Sequence, residues 1–156
     1  MGQVVTREEL KEIADAMRGS KTIVTTNGCF DILHVGHVRI LKKARELGDV
    51  LVVGINSDAS VKRLKGPERP HNSQDDRAEI LSSLDCVDYV TIFGEDTPVE
   101  FLEVVKPNFH VKGSDYKPSD LAETPVVERG GGQVKIIALV PDKSTTGLIE
   151  KIRSKD

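Results

Sequence analysis

The sequence predicts an α/β fold in which helices cover both faces of a mostly parallel β-sheet. Short runs of apolar and β-branched residues alternate with segments of helical periodicity along the chain. The length, 156 residues, is that of one average domain, and a content of 38% hydrophobic and 30% charged residues is ordinary for a globular protein. We therefore predict one domain over residues 1–156, with a packing helix within 1–20 and the core of the fold over 22–153.

The first part of the chain is predicted to form a helix and then a strand, helix, strand unit. Thr6 begins a capping box, and the apolar residues that follow recur at helical spacing as far as Gly19. Residues 22–26 and 50–55 are β-branched or apolar runs typical of buried parallel strands. Between them, the segment 35–47 places its apolar residues on one helical stripe, which predicts the connecting helix.

The same alternation continues to the C-terminus. Helices are predicted over 73–84, from 97 onward and over 144–153, and strands over 87–93, 109–112 and 134–140. The segment 114–132, with two prolines and three consecutive glycines, predicts a loop with short helical turns. The predicted fold is thus a Rossmann-like domain with a five-stranded sheet, and its ligand is expected at the carboxyl ends of the strands.

Charge and composition exclude several classes of protein. A net charge of −3, the absence of Trp and a content of two Tyr and four Phe argue against nucleic acid as a partner. The longest stretch without a charged residue, 22–30, is far shorter than the roughly 20 apolar residues of a membrane span, so no membrane partner is expected. Cys29 and Cys86 form no disulfide framework and the N-terminus lacks a signal-peptide pattern, so we expect a cytoplasmic protein.

One segment concentrates positive charge in this acidic chain. Residues 62–69, KRLKGPER, carry four cations against one anion. Such a segment suits a polyanionic small ligand better than a long polymer. A solvated loop without a ligand is the alternative interpretation of the same charges.

The loop 27–37 contains the main candidate site. It lacks the G-x-G-x-x-G and P-loop patterns, but His34, Gly36 and His37 stand at the predicted start of a helix. Free N–H groups, a partial positive charge and two imidazole donors there favour a phosphate oxyanion, and the glycine allows close approach of a ribose or base. Two surface histidines, or a zinc site that includes Cys29, are the alternatives.

Several strings together resemble the cytidylyltransferase-like nucleotidyltransferase family. The similarity covers residues 22–153 and rests on TNGCFDILHVGH at 26–37, INSD at 55–58, KRLKGPERP at 62–70, VKGSDY at 111–116 and STTGLIEKI at 144–152. Within the family, the basic string, the DTP at 96–98, VKGSDYKP and STT are most similar to the branch that joins AMP to a heptose 1-phosphate. That branch makes the ADP-heptose of bacterial lipopolysaccharide and related surface polymers.

The resemblance implies direct in-line attack of a phosphate oxygen on the α-phosphorus of ATP, with Mg²⁺ present and pyrophosphate released. It assigns catalysis to His34, His37 and Lys65, the lysine bridging donor and acceptor phosphates. Nucleotide binding falls to Asn27, Gly28, Cys29, Phe30, Asp31, Gly36, Ser144, Thr145 and Thr146, and binding of the phosphorylated sugar to Arg69, Lys112, Gly113 and Asp115. No protein-bound metal is expected.

Other expectations stay open at this point. Asp31 either binds ligand or closes a turn within its own loop, and Arg77 either forms an exposed ion pair or reaches a phosphate. The chain lacks the arginine that precedes Ser-Thr-Thr in the cytidylyltransferases, which disfavours glycerol 3-phosphate as acceptor. Transfer of CMP or AMP to another phosphorylated acceptor, or nucleotide binding without turnover, are the alternative functions. The resemblance also implies a homodimer and a separate sugar kinase that prepares the acceptor.

Overall fold

The computed structural model describes residues 2–138 and 145–153, without the side chains of Thr145 and Thr146. Six strands and seven α-helices are assigned within these residues, in the order β1 Gln3–Val4, α1 Arg7–Met17, β2 Ile23–Gly28, α2 Val35–Glu46, β3 Val50–Asn56, α3 Asp58–Lys65, α4 Gln74–Ser82, β4 Tyr89–Phe93, α5 Val99–Val105, β5 Phe109–Gly113, α6 Thr124–Arg129, β6 Gln133–Ile137 and α7 Thr145–Arg153. None of the described helices has the length and apolar character needed to cross a membrane.

The strands form one sheet in the order β1-β4-β3-β2-β5-β6, and every pair is parallel. The chain runs outward from β2 through β3 to β4 and then returns to place β5 on the other side of β2. The strand order therefore reverses between β2 and β5, where Thr25 is paired with His110. In open parallel sheets, the carboxyl ends of the strands beside such a reversal form the crevice that receives ligands.

Apolar side chains fill both faces of the sheet. On one face Val24, Leu51 and Val53 pack with Leu41 and Ala44 of α2 and with residues of α4. On the other, the buried residues of α1, α5 and α6 pack on the strands, a cluster formed by Leu10, Ala14, Ile23, Val52, Phe101, Leu102 and Val127 among others. This double coverage explains why β2 and β3 read as continuous apolar or β-branched runs rather than as alternating ones.

The predicted class is confirmed, and the predicted elements differ from the structure in three places. The sheet has six strands, because Gln3–Val4 pairs with β4; two residues are too few to show a periodicity. Asp58–Lys65 is a helix that begins after Ser57, so the first half of the basic segment, 62–65, is helical rather than a loop. Strand β6 ends at Ile137 within the described residues, whereas the predicted strand continues to 140.

The remaining local predictions agree with the structure. Thr6 and Glu9 form the predicted capping box of α1, and Ser73 caps α4. The irregular segment 114–132 contains a short 3₁₀ turn, Pro118–Asp120, and the six-residue helix α6. These elements carry the chain from the carboxyl end of β5 past the cavity described next.

Candidate functional site

A cavity of about 640 Å³ opens at the carboxyl edge of the sheet where β2 and β5 meet. Its lining includes all the predicted site residues of the segments 27–37, 65–69 and 112–115. Ser144 lies outside the described residues, and Thr145 and Thr146 begin α7 with side chains that are not described. The volume is within the range of small-molecule sites.

The two histidines cap the helix that carries them. His34 is the N-cap of α2, and its Nδ1 accepts a hydrogen bond from the backbone N–H of Gly36 at 3.1 Å. The Nδ1 of His37 accepts from the backbone N–H of His34 at 3.2 Å, which completes a reciprocal capping box. The two rings stack with centroids 3.8 Å apart. These hydrogen bonds thus determine where α2 begins and also fix the orientation of the two imidazole rings.

These contacts determine which ring nitrogens can donate to a ligand. A neutral imidazole has one donor and one acceptor nitrogen, so a ring that accepts at Nδ1 carries its proton on Nε2. Burial, with a smaller contribution from His34, lowers the pKa of His37 to about 4, so His37 is neutral at physiological pH. His37 therefore offers a directed N–H dipole beside the helix N-terminus rather than a full positive charge.

The loop between β2 and α2 is shaped for close approach of a ligand. Phe30 adopts a positive φ of 48°, and its ring lies over Gly28, where a Cβ would come within 3.0 Å of a ring carbon. The Cys29 thiol donates to Asn56 at 3.8 Å, and burial raises its pKa. No three metal-ligating side chains of the described residues are arranged to hold a metal ion, and the zinc alternative gains no support from the geometry.

Asp31 does not present its carboxylate to the cavity in the way a ligand-binding residue would. The side chain is fully buried and accepts hydrogen bonds from Arg69 Nε at 2.7 Å and from the backbone N–H groups of His71 and Asn72. Burial alone would raise the pKa of Asp31, but these contacts hold it below its usual value. The expected turn within its own loop is wrong, because the partners lie about forty residues further along the chain.

Arg77 is neither an exposed ion pair nor a phosphate ligand, so both expectations for it are wrong. Its guanidinium is completely buried and donates to the carbonyl oxygens of Cys29, Asn56 and Asn72 and to the carboxylate of Asp58. These contacts join the carboxyl ends of β2 and β3 to the beginnings of α3 and α4. Arg77 therefore fixes the framework of the cavity, with four of its five N–H donors bonded within the protein.

Lys65 is the last residue of α3 and lines the cavity with an exposed side chain. It has no ion pair with the described residues, whereas Arg63 on the same helix bonds to Asp96 and to the carbonyl oxygen of Gly94. Arg69 is occupied by Asp31. Of the basic segment's cations, Lys65 is thus the one on the cavity wall without a carboxylate partner in the described structure.

Lys112, at the end of β5, stands beside Asn27 at the end of β2. Its Nζ donates to Asn27 Oδ1 at 3.2 Å and lies 4.7 Å from the centre of the Tyr116 ring. Burial lowers its pKa, against the opposing effect of Glu123 and Asp115. Gly113 and Asp115 line the same wall. A cation and an amide thus meet above the reversal point of the sheet, and the substrate-binding role of these residues stays a prediction.

Sequence reasoning missed a buried polar group behind this wall. Glu123 lines the cavity with 4% of its surface exposed, and its carboxylate faces the fully buried His110. No motif marks either residue, because Glu123 follows an irregular segment and His110 sits within a strand. The available signal was indirect: a histidine in the middle of an otherwise apolar strand needs a polar partner.

The fold and the cavity define an α/β protein with a ligand cavity at the reversal point of a parallel sheet, and comparison of sequences gives its family. The profile of the cytidylyltransferase-like family matches residues 25–142, and the chain belongs to that family.

Its relatives include the bifunctional protein HldE of Syntrophotalea carbinolica, which is 53% identical over 147 residues, and that of Campylobacter concisus, 57% identical over 146 residues. Each alignment covers 94% of this chain, and the chain spans 30% of the length of these relatives.

Two solved structures show the same architecture. The lipopolysaccharide core biosynthesis protein of Thermoplasma volcanium is 31% identical, with a TM-score of 0.62 over 78% of this chain and 98% of that protein. The pantoate-beta-alanine ligase of Francisella tularensis, in a complex with a β,γ-ATP ligand and β-alanine, also has a TM-score of 0.62 but only 14% identity, over 100% of this chain and 80% of that one. The second likeness concerns the fold alone.

Proposed function

We propose that this protein transfers AMP from ATP to a sugar 1-phosphate, D-glycero-β-D-manno-heptose 1-phosphate, giving ADP-heptose and pyrophosphate. The observation that carries the proposal is the start of α2 at the cavity wall, where His34 and His37 cap the helix through Nδ1 beside the N-terminal amides of the helix. Family membership supports nucleotidyl transfer as the chemistry. The identity of 50–57% to HldE proteins and the relation to a lipopolysaccharide core biosynthesis protein support a heptose as the acceptor.

The chain's own residues would act by positioning and by stabilising charge. The N-terminus of α2 and the two Nε2–H groups would donate to oxygens of the triphosphate as negative charge builds up in the transition state. Lys65 would bring a cation between the donor and acceptor phosphates, whose mutual repulsion opposes the attack. Direct displacement requires no covalent intermediate, and the proposal assigns no nucleophilic role to the Cys29 thiol, whose pKa is raised by burial.

A divalent cation belongs with the ATP in this chemistry, and we propose Mg²⁺. Mg²⁺ is bound through phosphate oxygens, water and one or two carboxylates. Among the cavity carboxylates, Asp31 has its oxygens occupied, Asp96 pairs with Arg63 and Glu123 faces His110, whereas Asp115 and Asp120 are exposed and form no salt bridge with the described residues. Asp115 and Asp120 therefore fit the cation best, which would offset the charge of the triphosphate.

The acceptor needs a phosphate before it can react, so the reaction class that precedes this one is phosphoryl transfer to a sugar. We place both reactions in the cytoplasm, which suits the free thiols of Cys29 and Cys86. That residues 1–156 act as a single nucleotidyltransferase domain, and that the protein is a homodimer, stay predictions. Analytical ultracentrifugation would test the homodimer.

The direct test is a crossed assay of nucleotides and acceptors. The purified protein is incubated with ATP or CTP and with heptose 1-phosphate, glycerol 3-phosphate or a pantetheine phosphate, and released pyrophosphate is measured. We expect release with ATP and heptose 1-phosphate, matched by ADP-heptose. A preference for CTP or for another acceptor would support the alternative transferases. Nucleotide binding without pyrophosphate in any combination would indicate a binding module.

A further inference from the structure

A buried polar row crosses the sheet just below the cavity. Thr25 of β2 and His110 of β5 are register partners, and the Thr25 hydroxyl lies 2.8 Å from His110 Nδ1. On the far side of the ring, His110 Nε2 is 3.5 Å from Oε2 of Glu123. All three residues are buried, so the row ends in a carboxylate that water hardly reaches but that lines the cavity.

The Glu123 carboxylate is charged and has a long contact to His110. Burial would raise its pKa, but the contact with His110, a hydrogen bond to its own backbone and the positive charge of Lys112 hold it below the usual value. The 3.5 Å contact is too long for a strong hydrogen bond, and His110 Nε2 has no other hydrogen-bond partner among the described residues. A carboxylate has about four acceptor sites on its two oxygens, so Glu123 can also accept hydrogen bonds from a ligand in the cavity.

The sheet divides the cavity into two halves, and Glu123 lies away from the phosphate site. Ile23 belongs to the core on the α1, α5 and α6 face, and Thr25 and Asn27 follow it with the alternation of a strand, so they share that face. Helix α2 packs on the opposite face through Leu41 and Ala44. The histidines and Gly36 thus approach the cavity from one side, whereas Asn27, Lys112 and Glu123 approach it from the other.

We propose that Glu123 is a specificity-determining residue that accepts hydrogen bonds from hydroxyl groups of the acceptor sugar, held in place by His110 and Thr25. The inference rests on the proposed function, because it assigns the half of the cavity opposite α2 to the acceptor. An ionised carboxylate is acceptor-only, so it selects a ligand that donates, and neighbouring sugar hydroxyls supply such donors. Lys112 beside it supplies a cation for the negative charge of the same ligand.

Sugar hydroxyls could also come from the ribose of ATP, and the two sources predict different kinetics. A carboxylate that binds the acceptor affects KM for the sugar phosphate, whereas one that binds ribose affects KM for ATP. A site built to hydrogen-bond a hydroxyl discriminates strongly, because its polar group is left unpaired when the hydroxyl is missing. The loss of a hydrogen bond to a charged group corresponds to roughly 10- to 100-fold in affinity.

The experiment compares Glu123→Gln with Glu128→Gln, which changes an exposed glutamate of α6, the helix that Glu123 precedes. We expect Glu123→Gln to raise KM for heptose 1-phosphate about tenfold or more, and KM for ATP less than twofold. Inhibition by inorganic phosphate, which has no sugar hydroxyls, should stay unchanged. Glu128→Gln should match the wild type. A rise in KM for ATP alone would assign Glu123 to the ribose. A loss of phosphate inhibition as large as the rise in KM for heptose 1-phosphate would assign Glu123 a purely structural role. Either result overturns the proposal.

Two further measurements keep the outcome clear. Should Glu123→Gln unfold, Glu123→Asp keeps the charge but withdraws the carboxylate, and the same selective rise in KM is expected; unchanged kinetics would overturn the proposal. Should the wild type fail to transfer AMP to heptose 1-phosphate, the proposed function fails on that result alone. Calorimetric binding of heptose 1-phosphate then tests Glu123 directly, since equal affinity in the wild type and Glu123→Gln contradicts a role in hydroxyl recognition.

Discussion

Two sets of charged side chains surround the same cavity and have opposite relations to it. Asp31 and Arg77 are buried and bonded to several partners within the protein, and the nearly buried Arg69 pairs with Asp31 through Nε. Lys65 and Asp115 are exposed on the cavity wall and form no salt bridge with the described residues. We call the first set the framework charges and the second the wall charges. Residue type does not separate them, but burial and the number of internal partners do.

This difference predicts how each set responds to substitution. Removal of a framework charge leaves buried partners without hydrogen bonds, so stability should fall first and activity with it. Removal of a wall charge leaves no buried partner without a hydrogen bond, so the stability of the protein should not change. Only substrate binding or turnover should fall. The histidines of α2 combine both properties, because they cap a helix and also face the cavity.

The largest effect is expected for Arg77→Met. The substitution removes the donors to three carbonyl oxygens, including that of the buried Asn56, and leaves the Asp58 carboxylate without its partner. We expect the free energy of unfolding to fall by about 3–5 kcal/mol in chemical denaturation. Arg153→Met is the control, because Arg153 pairs with Glu68 on the surface, where such pairs contribute about 0–1 kcal/mol. Equal losses in the two variants would contradict the framework role.

The next effect concerns the histidines. His34→Ala and His37→Ala should each lower kcat about 10²-fold or more, because a donor positioned for the transition state is lost. Each should also lower stability by about 1 kcal/mol through the lost cap. His71→Ala is the control, since His71 is exposed and contacts Asp31 through its backbone. Near-normal turnover in both cap variants would refute the phosphate site.

Lys65→Ala tests the wall charges. Two unit charges 4 Å apart repel by roughly 4 kcal/mol at an effective dielectric constant near 20, so a cation between two phosphates matters most as they approach. We expect ATP affinity to persist while turnover falls at least about tenfold, with partial rescue in Lys65→Arg. Lys62→Ala, on the same helix but not on the cavity lining, is the control. Equal losses of ATP affinity and turnover would reduce Lys65 to an ordinary ATP-binding cation.

The smallest effect is a pH dependence of stability. Burial lowers the pKa of His37 from 6.5 to about 4, so the unfolded chain binds the extra proton first as the pH falls. Stability from this residue is complete above about pH 6.5 and is lost between about pH 6.5 and 4. At pH 5 we expect a loss of about 1 kcal/mol relative to pH 7, allowing for partial exposure of the ring. His37→Gln should remove this component, and an unchanged difference between the two pH values would contradict it.

Features that depend on neighbouring residues were predictable from the sequence. The capping box of α1, the N-cap of α4, the β-branched runs and the start of α2 at His34 all follow from patterns within a few positions. The phosphate site was predictable for the same reason, because both histidines and the amides that they cap lie within four residues. Gln3–Val4 could not be read as a strand, because its pairing with β4 involves residues more than eighty positions away.

The roles of individual charges were not predictable in this way. Asp31 was expected to bind a ligand or its own loop, and Arg77 to form an exposed ion pair or reach a phosphate. The partners of Asp31 lie 38–41 residues away, and those of Arg77 come from three segments 5 to 48 residues away. Glu123 was overlooked, since its partner His110 belongs to a strand on the other side of the short 3₁₀ turn. Sequence patterns state which groups are charged but not which of them are buried together.

The sequence by itself determined the α/β class, the order of most helices and strands, the family and the helix start that forms the phosphate site. Periodicity and capping are local, because the hydrogen bonds and apolar stripes that they describe span a few residues. Only the tertiary structure decided which charges remain available to substrates. That decision depends on burial, and burial at this edge of the sheet arises where β2, β5 and the segments around Arg77 and Glu123 converge from distant parts of the chain.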